Sequence, residues 1–253
     1  MQIRFNGRVV WITGGSSGLG RTLVETFARA GATIVWNHYR DPEQAARLLQ
    51  WLHAHRVPTW MDEVDVADSG AVQRFVDTVA ERFGRIDVLI NNAGIRDDAV
   101  AWKMRDDAWR RVIDVNLTGA FFCSRAVIPI MRRQGQGRII MISSINALRG
   151  KRGISNYIAA KAGLIGLTRA LATETARFGI TVNAIAPGMM RTPMTATLPP
   201  EVIAQAQREA VLGFLTEPRD VAALALFLAS EYARAITGEV IRVDAGQGLS
   251  SAQ

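Results

Sequence analysis

The chain has 253 residues, 49% of them hydrophobic, which is enough for one large α/β domain (1–253) to bury a core without disulfides or metal. Charges interrupt every apolar run well short of about 18 residues, and the first residues lead straight into a strand, so neither a membrane span nor a signal peptide is expected. The net charge of +7 is nearly all scattered arginine, with lysine only at Lys103, Lys151 and Lys161, which predicts a solvated surface and not a nucleic-acid site.

In chain order, Arg8–Thr13 reads as a strand that runs into a glycine-rich turn, and Leu19–Ala30 as a helix that stops at Gly31. Strand Thr33–Trp36, helix Pro42–His55 and strand Thr59–Asp65 follow. Helix Ala71–Phe83 ends at Gly84 and leads to strand Ile86–Asn91. Helix Asp107–Arg133 carries Cys123, the one cysteine, which has no intramolecular partner and fits a reducing cytosol; a cytoplasmic protein is expected. Then come strand Arg138–Ser143, helix Ser155–Phe178, strand Thr181–Ala186, helix Pro218–Ala229 and strand Val240–Asp244. Ile145–Ile154 and Met189–Glu217 read as irregular. Continuously apolar strands alternating with helices predict a single Rossmann-type, doubly wound parallel sheet with helices on both faces. Ligands of such sheets sit at the strand C-termini.

The first turn, Thr13–Gly20, contains Gly14, Ser16, Ser17, Gly18, Leu19 and Gly20 between the first strand and first helix. Glycines there allow close backbone approach, and the helix N-terminus offers free N–H groups to a pyrophosphate. An acid roughly 20 residues further on would normally grip the adenine ribose diol. Here the second strand runs into Asn37, His38 and Arg40, and the first acid, Asp41, lies beyond its end. A carboxylate repels a 2′-phosphate whereas those three side chains donate to one, so NADP(H) is favoured, with NAD(H) the alternative.

Tyr157 and Lys161 stand four residues apart on one helix face. An ammonium beside a phenol favours the phenolate and brings its ionisation nearer neutrality, which makes a general acid for ketone reduction and a base for the reverse. Ser144, closing the preceding strand, is placed to hydrogen-bond the substrate oxygen. No metal site is expected.

Along essentially its whole length the chain resembles the classical short-chain dehydrogenase/reductase family. The glycine turn, Asp65-Val66, Asn91–Gly94, Asn116, the Ser144/Tyr157/Lys161 set and Pro187–Met194 carry the resemblance. It implies that Tyr157 is the acid–base, that Lys161 lowers its pKa and binds the nicotinamide ribose, and that Ser144 polarises the carbonyl. It further implies that Asn116 holds a water linking Lys161 to solvent, and that Asp65 and Val66 lie beside the adenine. Asn92, Gly94, Pro187, Gly188, Met190 and Thr192 would complete the cofactor site, with Thr192 reaching the carboxamide. The stretch Met194–Asp244 looks most like the 3-oxoacyl-(acyl-carrier-protein) reductases, although Ser17 stands where their NADP-linked members often have arginine.

The resemblance thus implies an NADP(H)-dependent ketoreductase acting on a 3-oxoacyl thioester or similar small-molecule carbonyl, and a homotetramer built on the two long helices. Arg132, Arg133 and Arg177 are candidates to meet an acidic acyl carrier protein, solvated helix ends being the plainer reading. Two other readings stay open: an NAD(P)-dependent sugar, polyol or other secondary-alcohol dehydrogenase, and a non-catalytic nucleotide-sensing protein on the same fold.

Overall fold

The computed structural model describes residues 2–192, 195 and 198–249. Seven parallel strands form one sheet in the order β3-β2-β1-β4-β5-β6-β7. They are β1 (Val9–Thr13), β2 (Thr33–His38), β3 (Thr59–Glu63), β4 (Val88–Asn91), β5 (Gly137–Ile142), β6 (Ile180–Pro187) and β7 (Val240–Val243). The order reverses between β1 and β4, and neighbouring crossovers leave that point on opposite faces, which opens a crevice beyond the strand C-termini.

The alternation of side chains across each strand divides the apolar residues into two cores. Val10 and Ile12 of β1 pack with α1 (Gly18–Arg29), α2 (Pro42–Ala54) and a late helix, Pro218–Leu228. Val9 and Trp11 face the other way, onto α3 (Ser69–Phe83) and the long helices that follow β4 and β5. Both faces of the sheet are therefore covered, which is why its strands read as unbroken apolar runs.

The helix expected over Asp107–Arg133 is two helices and a defect. α4 (Asp106–Ile113) and α5 (Gly119–Gln134) are joined by one π-helical turn, Asp114–Thr118, with Asn116 inside it. A π-turn carries one extra residue and re-aims its side chains without ending the helix. The combined run 106–134 is, by length and composition alone, apolar enough to cross a bilayer. That differs from the sequence reading because its charges cluster toward its ends. Half of the apolar stretch is buried in the protein, with Cys123, Val127 and Met131 in the second core.

The two segments read as irregular also contain helix. Asn146–Arg149 forms a single turn, α6, before α7 (Ser155–Thr175). Pro200–Glu209 forms α8, ahead of α9 (Pro218–Leu228). Of α8 only Ala206 is buried, so it lacks the apolar stripe by which helices are found in sequence. β2 runs two residues past its expected end, to His38.

At the N-terminal ends of the central strands, Asp87 ties β1, β4 and β5 together. Its carboxylate accepts from the Val9 N–H at 2.8 Å and from Arg8 and Arg85, and its backbone bonds to Val9 and Arg138. Burial alone would raise its pKa, but the Arg85, Val9 and Arg8 donors hold it below the ordinary carboxylate value. A depressed carboxylate stabilises the fold above its unfolded pKa and loses that contribution as pH falls through the folded value. Asp87→Asn is expected to cost about 2–3 kcal/mol at neutral pH, since the buried site keeps its guanidiniums but loses their counter-charge. In urea unfolding the gap from wild type should narrow below about pH 4; a gap independent of pH would contradict this.

Candidate active site

A cleft of about 430 Å³ opens at the crevice. Its floor is the β1–α1 turn, where Gly14 and Gly18 have φ of +65° and +52°, which glycine adopts without strain. A Cβ on Gly20 would sit 2.0 Å from the Gly14 carbonyl oxygen, so the turn closes only because that side chain is missing. Ser17, the N-cap of α1, makes no side-chain capping bond, and the first turn carries no acid, so the helix leads with uncapped N–H groups and a positive dipole end. Ser16, Ser17, Gly18, Leu19 and Gly20 all line the cleft.

The Asn91–Gly94 segment braces this turn. The Asn92 amide donates to the carbonyls of Thr13 and Gly14, both at 3.0 Å. The Thr13 hydroxyl accepts from the N–H groups of Asn92 and Ala93. Asn92 and Gly94 therefore reach the cleft as parts of a scaffold, and Gly94 passes between Asn116 and Lys161.

The end beyond β2 differs from the arrangement expected of it. Asn37 lines the cleft but is buried, its side-chain amide donating one N–H to the Val64 carbonyl and accepting from the Trp11 indole, each at 3.1 Å. Those two bonds hold the side chain against the sheet and leave one of its two N–H donors. Arg40 is not among the cleft-lining residues; its guanidinium lies over the Tyr39 ring and its backbone N–H donates to Glu63. His38 does face the cleft, with Nδ1 buried and unpartnered. Asp41 reaches back into the cleft and accepts from the Ser16 hydroxyl at 2.9 Å. The cation that the sequence did not point to is Arg111, from α4, ion-paired to Asp65 at 3.0 Å and lying over Tyr39. Val66 lines the wall beside Asp65.

At the other end, β5 and α7 bring Ser144, Tyr157 and Lys161 together. The Lys161 ammonium donates to the Ile142 carbonyl at 2.7 Å, and the Ser143 hydroxyl donates to the Lys161 carbonyl at 2.8 Å. These bonds lace the strand end to the helix. Ser144 hydrogen-bonds the Tyr157 phenol, and the Lys161 ammonium stands 5.6 Å from the centre of its ring.

Burial lowers the Lys161 pKa to about 8. It also raises that of Tyr157; the Ser144 hydrogen bond and the Arg96 charge oppose the rise, and Asp98 adds to it. The expectation that Lys161 brings the phenol toward neutrality is thus not met in the protein by itself: desolvation outweighs the charges around the ring.

Asn116 also has a structural part. Its amide accepts from the Ile95 N–H at 2.8 Å and donates to the Ile95 carbonyl at 3.0 Å, so its side chain clamps the loop after β4. Pro187, Gly188, Met190 and Thr192 close the cleft from the β6 side, and Thr192 is hydrogen-bonded to Thr195. Pro193 and Met194 lie outside the described residues.

The glycine cradle, the uncapped helix start and the orphaned His38 nitrogen fit a dinucleotide lying from β2 to Tyr157. Comparison with known proteins agrees with the geometry. The family model described as enoyl-(acyl carrier protein) reductase matches residues 14–247. The chain is 39% identical over 246 residues to a 3-oxoacyl-(acyl-carrier-protein) reductase FabG of Thermotoga maritima, covering 96% of this chain and 99% of that one. It is 40% identical over 240 residues to a 3-oxoacyl-(acyl-carrier-protein) reductase of Synechocystis, covering 94% and 96%. A solved structure named a candidate gluconate dehydrogenase of Agrobacterium tumefaciens superposes with a TM-score of 0.95 at 32% identity, over 99% of this chain and 100% of that one. The chain belongs to the short-chain dehydrogenase/reductase family, and it is an oxidoreductase that uses a nicotinamide cofactor on a CH–OH or carbonyl group.

Proposed function

We propose that the protein reduces a 3-oxoacyl thioester to the corresponding secondary alcohol with NADP(H), Tyr157 giving the proton. The observation that carries this reading is the Ser144–Tyr157–Lys161 set at the inner end of the cleft. The names of the relatives in Thermotoga maritima and Synechocystis support the substrate class.

The nicotinamide, when bound, supplies the hydride. The first turn of α1 and the glycine backbone would hold the pyrophosphate, and Lys161 the nicotinamide ribose. The Ser144 hydroxyl, beside the phenol, is placed to donate to a substrate carbonyl oxygen and so to favour charge developing there. A phenol whose pKa burial has raised is protonated at neutral pH and meets the substrate as an acid, which suits reduction. The Lys161 ammonium, with a pKa of about 8, can return a proton to the phenolate without a large free-energy gap.

For the 2′-phosphate, Arg111 joins Asn37 and His38 at the β2 end of the cleft, while Arg40 lies outside its lining. Arg111 is already ion-paired, so its fork can be shared between Asp65 and a phosphate. A carrier protein would find Arg132 and Arg177 both against the Phe178 ring, 4.4 and 4.7 Å from its centre, just past the end of α7. With this reading go a cytoplasmic location, for which the lone buried Cys123 is suited, and a homotetramer.

The candidate gluconate dehydrogenase among the structural neighbours keeps a second reading in view, oxidation of a sugar acid or polyol by the same residues. The two separate in one assay. Loss of reduced-nicotinamide absorbance should be fast with NADPH and 3-oxoacyl thioesters and slow, in reverse, with polyols and NADP+. Arg111→Ala should raise the KM for NADPH by about tenfold while moving that for NADH much less, the loss of one charge-assisted pair. Turnover confined to NADH would overturn the coenzyme assignment, and turnover confined to polyols the substrate assignment.

The buried ammonium also has a stability signature. A lysine whose folded pKa lies below its unfolded value binds fewer protons when folded, so stability rises with pH between about 8 and the unfolded value of 10.5. The penalty at neutral pH is about 3 kcal/mol. Lys161→Met should therefore unfold at higher urea than wild type at neutral pH, with the difference shrinking as pH rises toward 10.5. A variant less stable than wild type at every pH would contradict this.

A further inference from the structure

Arg96 follows the Asn91–Gly94 segment and lines the cleft with its guanidinium 5.9 Å from the centre of the Tyr157 ring. Asp98 holds it in a fork, Nε to Oδ1 and a terminal nitrogen to Oδ2. Both residues are partly exposed, with 38% and 47% of their side-chain surfaces accessible. An ion pair so exposed adds little to stability, on the order of 0–1 kcal/mol. Its position is nevertheless tightly fixed.

On one side, Ile95 is clamped by Asn116 through both its N–H and its carbonyl. On the other, Asn156 donates to the Asp97 carbonyl at 2.9 Å and accepts from the Tyr157 N–H at 2.7 Å. One bridge further on, Ala99 pairs with Ile154, just ahead of α7. The backbone on both sides of Arg96 is therefore pinned to the elements that carry Asn116 and Tyr157. Two asparagine clamps around an exposed loop residue are hard to account for by stability alone.

We propose that Arg96, oriented by Asp98, is a positioning residue that stabilises the Tyr157 phenolate across the ring face and thereby sets the pH at which the cleft works. The inference rests on Tyr157 being the acid–base group. When the phenol loses its proton, negative charge spreads into the ring, and a cation over the face then attracts a net charge and not only the ring quadrupole. Among the described residues, four side chains act on the phenol. Lys161 comes from its own helix, Arg96 and Asp98 from the loop, and the Ser144 hydroxyl from the end of β5. Arg96 pulls the Tyr157 ionisation down and Asp98 pushes it up. Removing one or the other must therefore act in opposite senses, which a merely structural role for the loop would not do.

The chain has three tyrosines, so the ionisation of Tyr157 can be read as the tyrosinate absorbance difference between each protein and its Tyr157→Phe counterpart. Arg96→Gln should shift that titration upward by about 0.5–1 pH unit and Asp98→Asn downward by a similar amount, the range for an opposite charge at this distance with solvent screening. Arg96→Lys should recover most of the shift, and thermal unfolding should stay at the wild-type midpoint for all three. The alkaline limb of kcat against pH should move in the same directions. Shifts of the same sign in both variants, or none, would overturn the proposal. If the optical titrations move in opposite senses while the rate profiles stay still, Arg96 acts on the phenol as proposed, but its control of the working pH is overturned together with Tyr157's part in turnover.

Discussion

A fully buried ammonium governs the arrangement of this protein. Lys161 lies within the second turn of α7, out of water, and donates to a carbonyl at the last residue of β5. Burying that charge costs folding free energy that an apolar side chain would not cost. The fold carries it at the C-terminal end of β5, so the strand end that accepts its hydrogen bond also leads into Ser144, and the same helix carries Tyr157 one turn earlier. Strand end, helix and ring are locked in one geometry by the Ser143 bond back to the Lys161 carbonyl.

That geometry has an electrostatic consequence at odds with the simplest account of a tyrosine–lysine pair. Desolvation acts on both groups at once. It lowers the lysine toward neutrality and raises the phenol away from it, and the two effects together disfavour a phenolate–ammonium pair. What opposes this is local: a hydrogen bond from Ser144 and the charge of Arg96. The site is thus poised as a neutral phenol beside an easily deprotonated ammonium, and the polar groups around the ring decide how strongly the phenol holds its proton.

Much of this was legible in the chain. The alternation of apolar strands and helices gave the doubly wound sheet, and the strand–glycine–helix passage gave the dinucleotide cradle, because both depend on local pattern. The spacing of Tyr157 and Lys161 placed them on one helix face for the same reason. What stayed hidden depended on partners far apart in sequence. Nothing local shows that the Asn37 amide is tied to Trp11 and Val64, or that Arg111 crosses from α4 to the β2 end. Arg40 was misleading because a left-handed backbone at that residue, φ +54°, follows the strand end and accompanies a guanidinium turned onto Tyr39. The π-turn at Asp114–Thr118 was invisible because it contains neither glycine nor proline, the residues by which a break in a helix is read from sequence. The clamp Asn116 forms with Ile95 explains why the turn is there: it rotates a polar side chain toward the β4 loop.

The account stands or falls on proton donation by Tyr157. A single turnover with NADPH carrying deuterium on its reactive face and a 3-oxoacyl thioester reads the chemistry without product release. The wild-type protein should place the label on the carbinol carbon. Tyr157→Phe, which keeps the cleft and the Lys161 bond to Ile142, should slow that transfer by about 10²–10⁴-fold while binding NADPH as tightly as wild type. Equal label transfer by the two proteins would contradict the account.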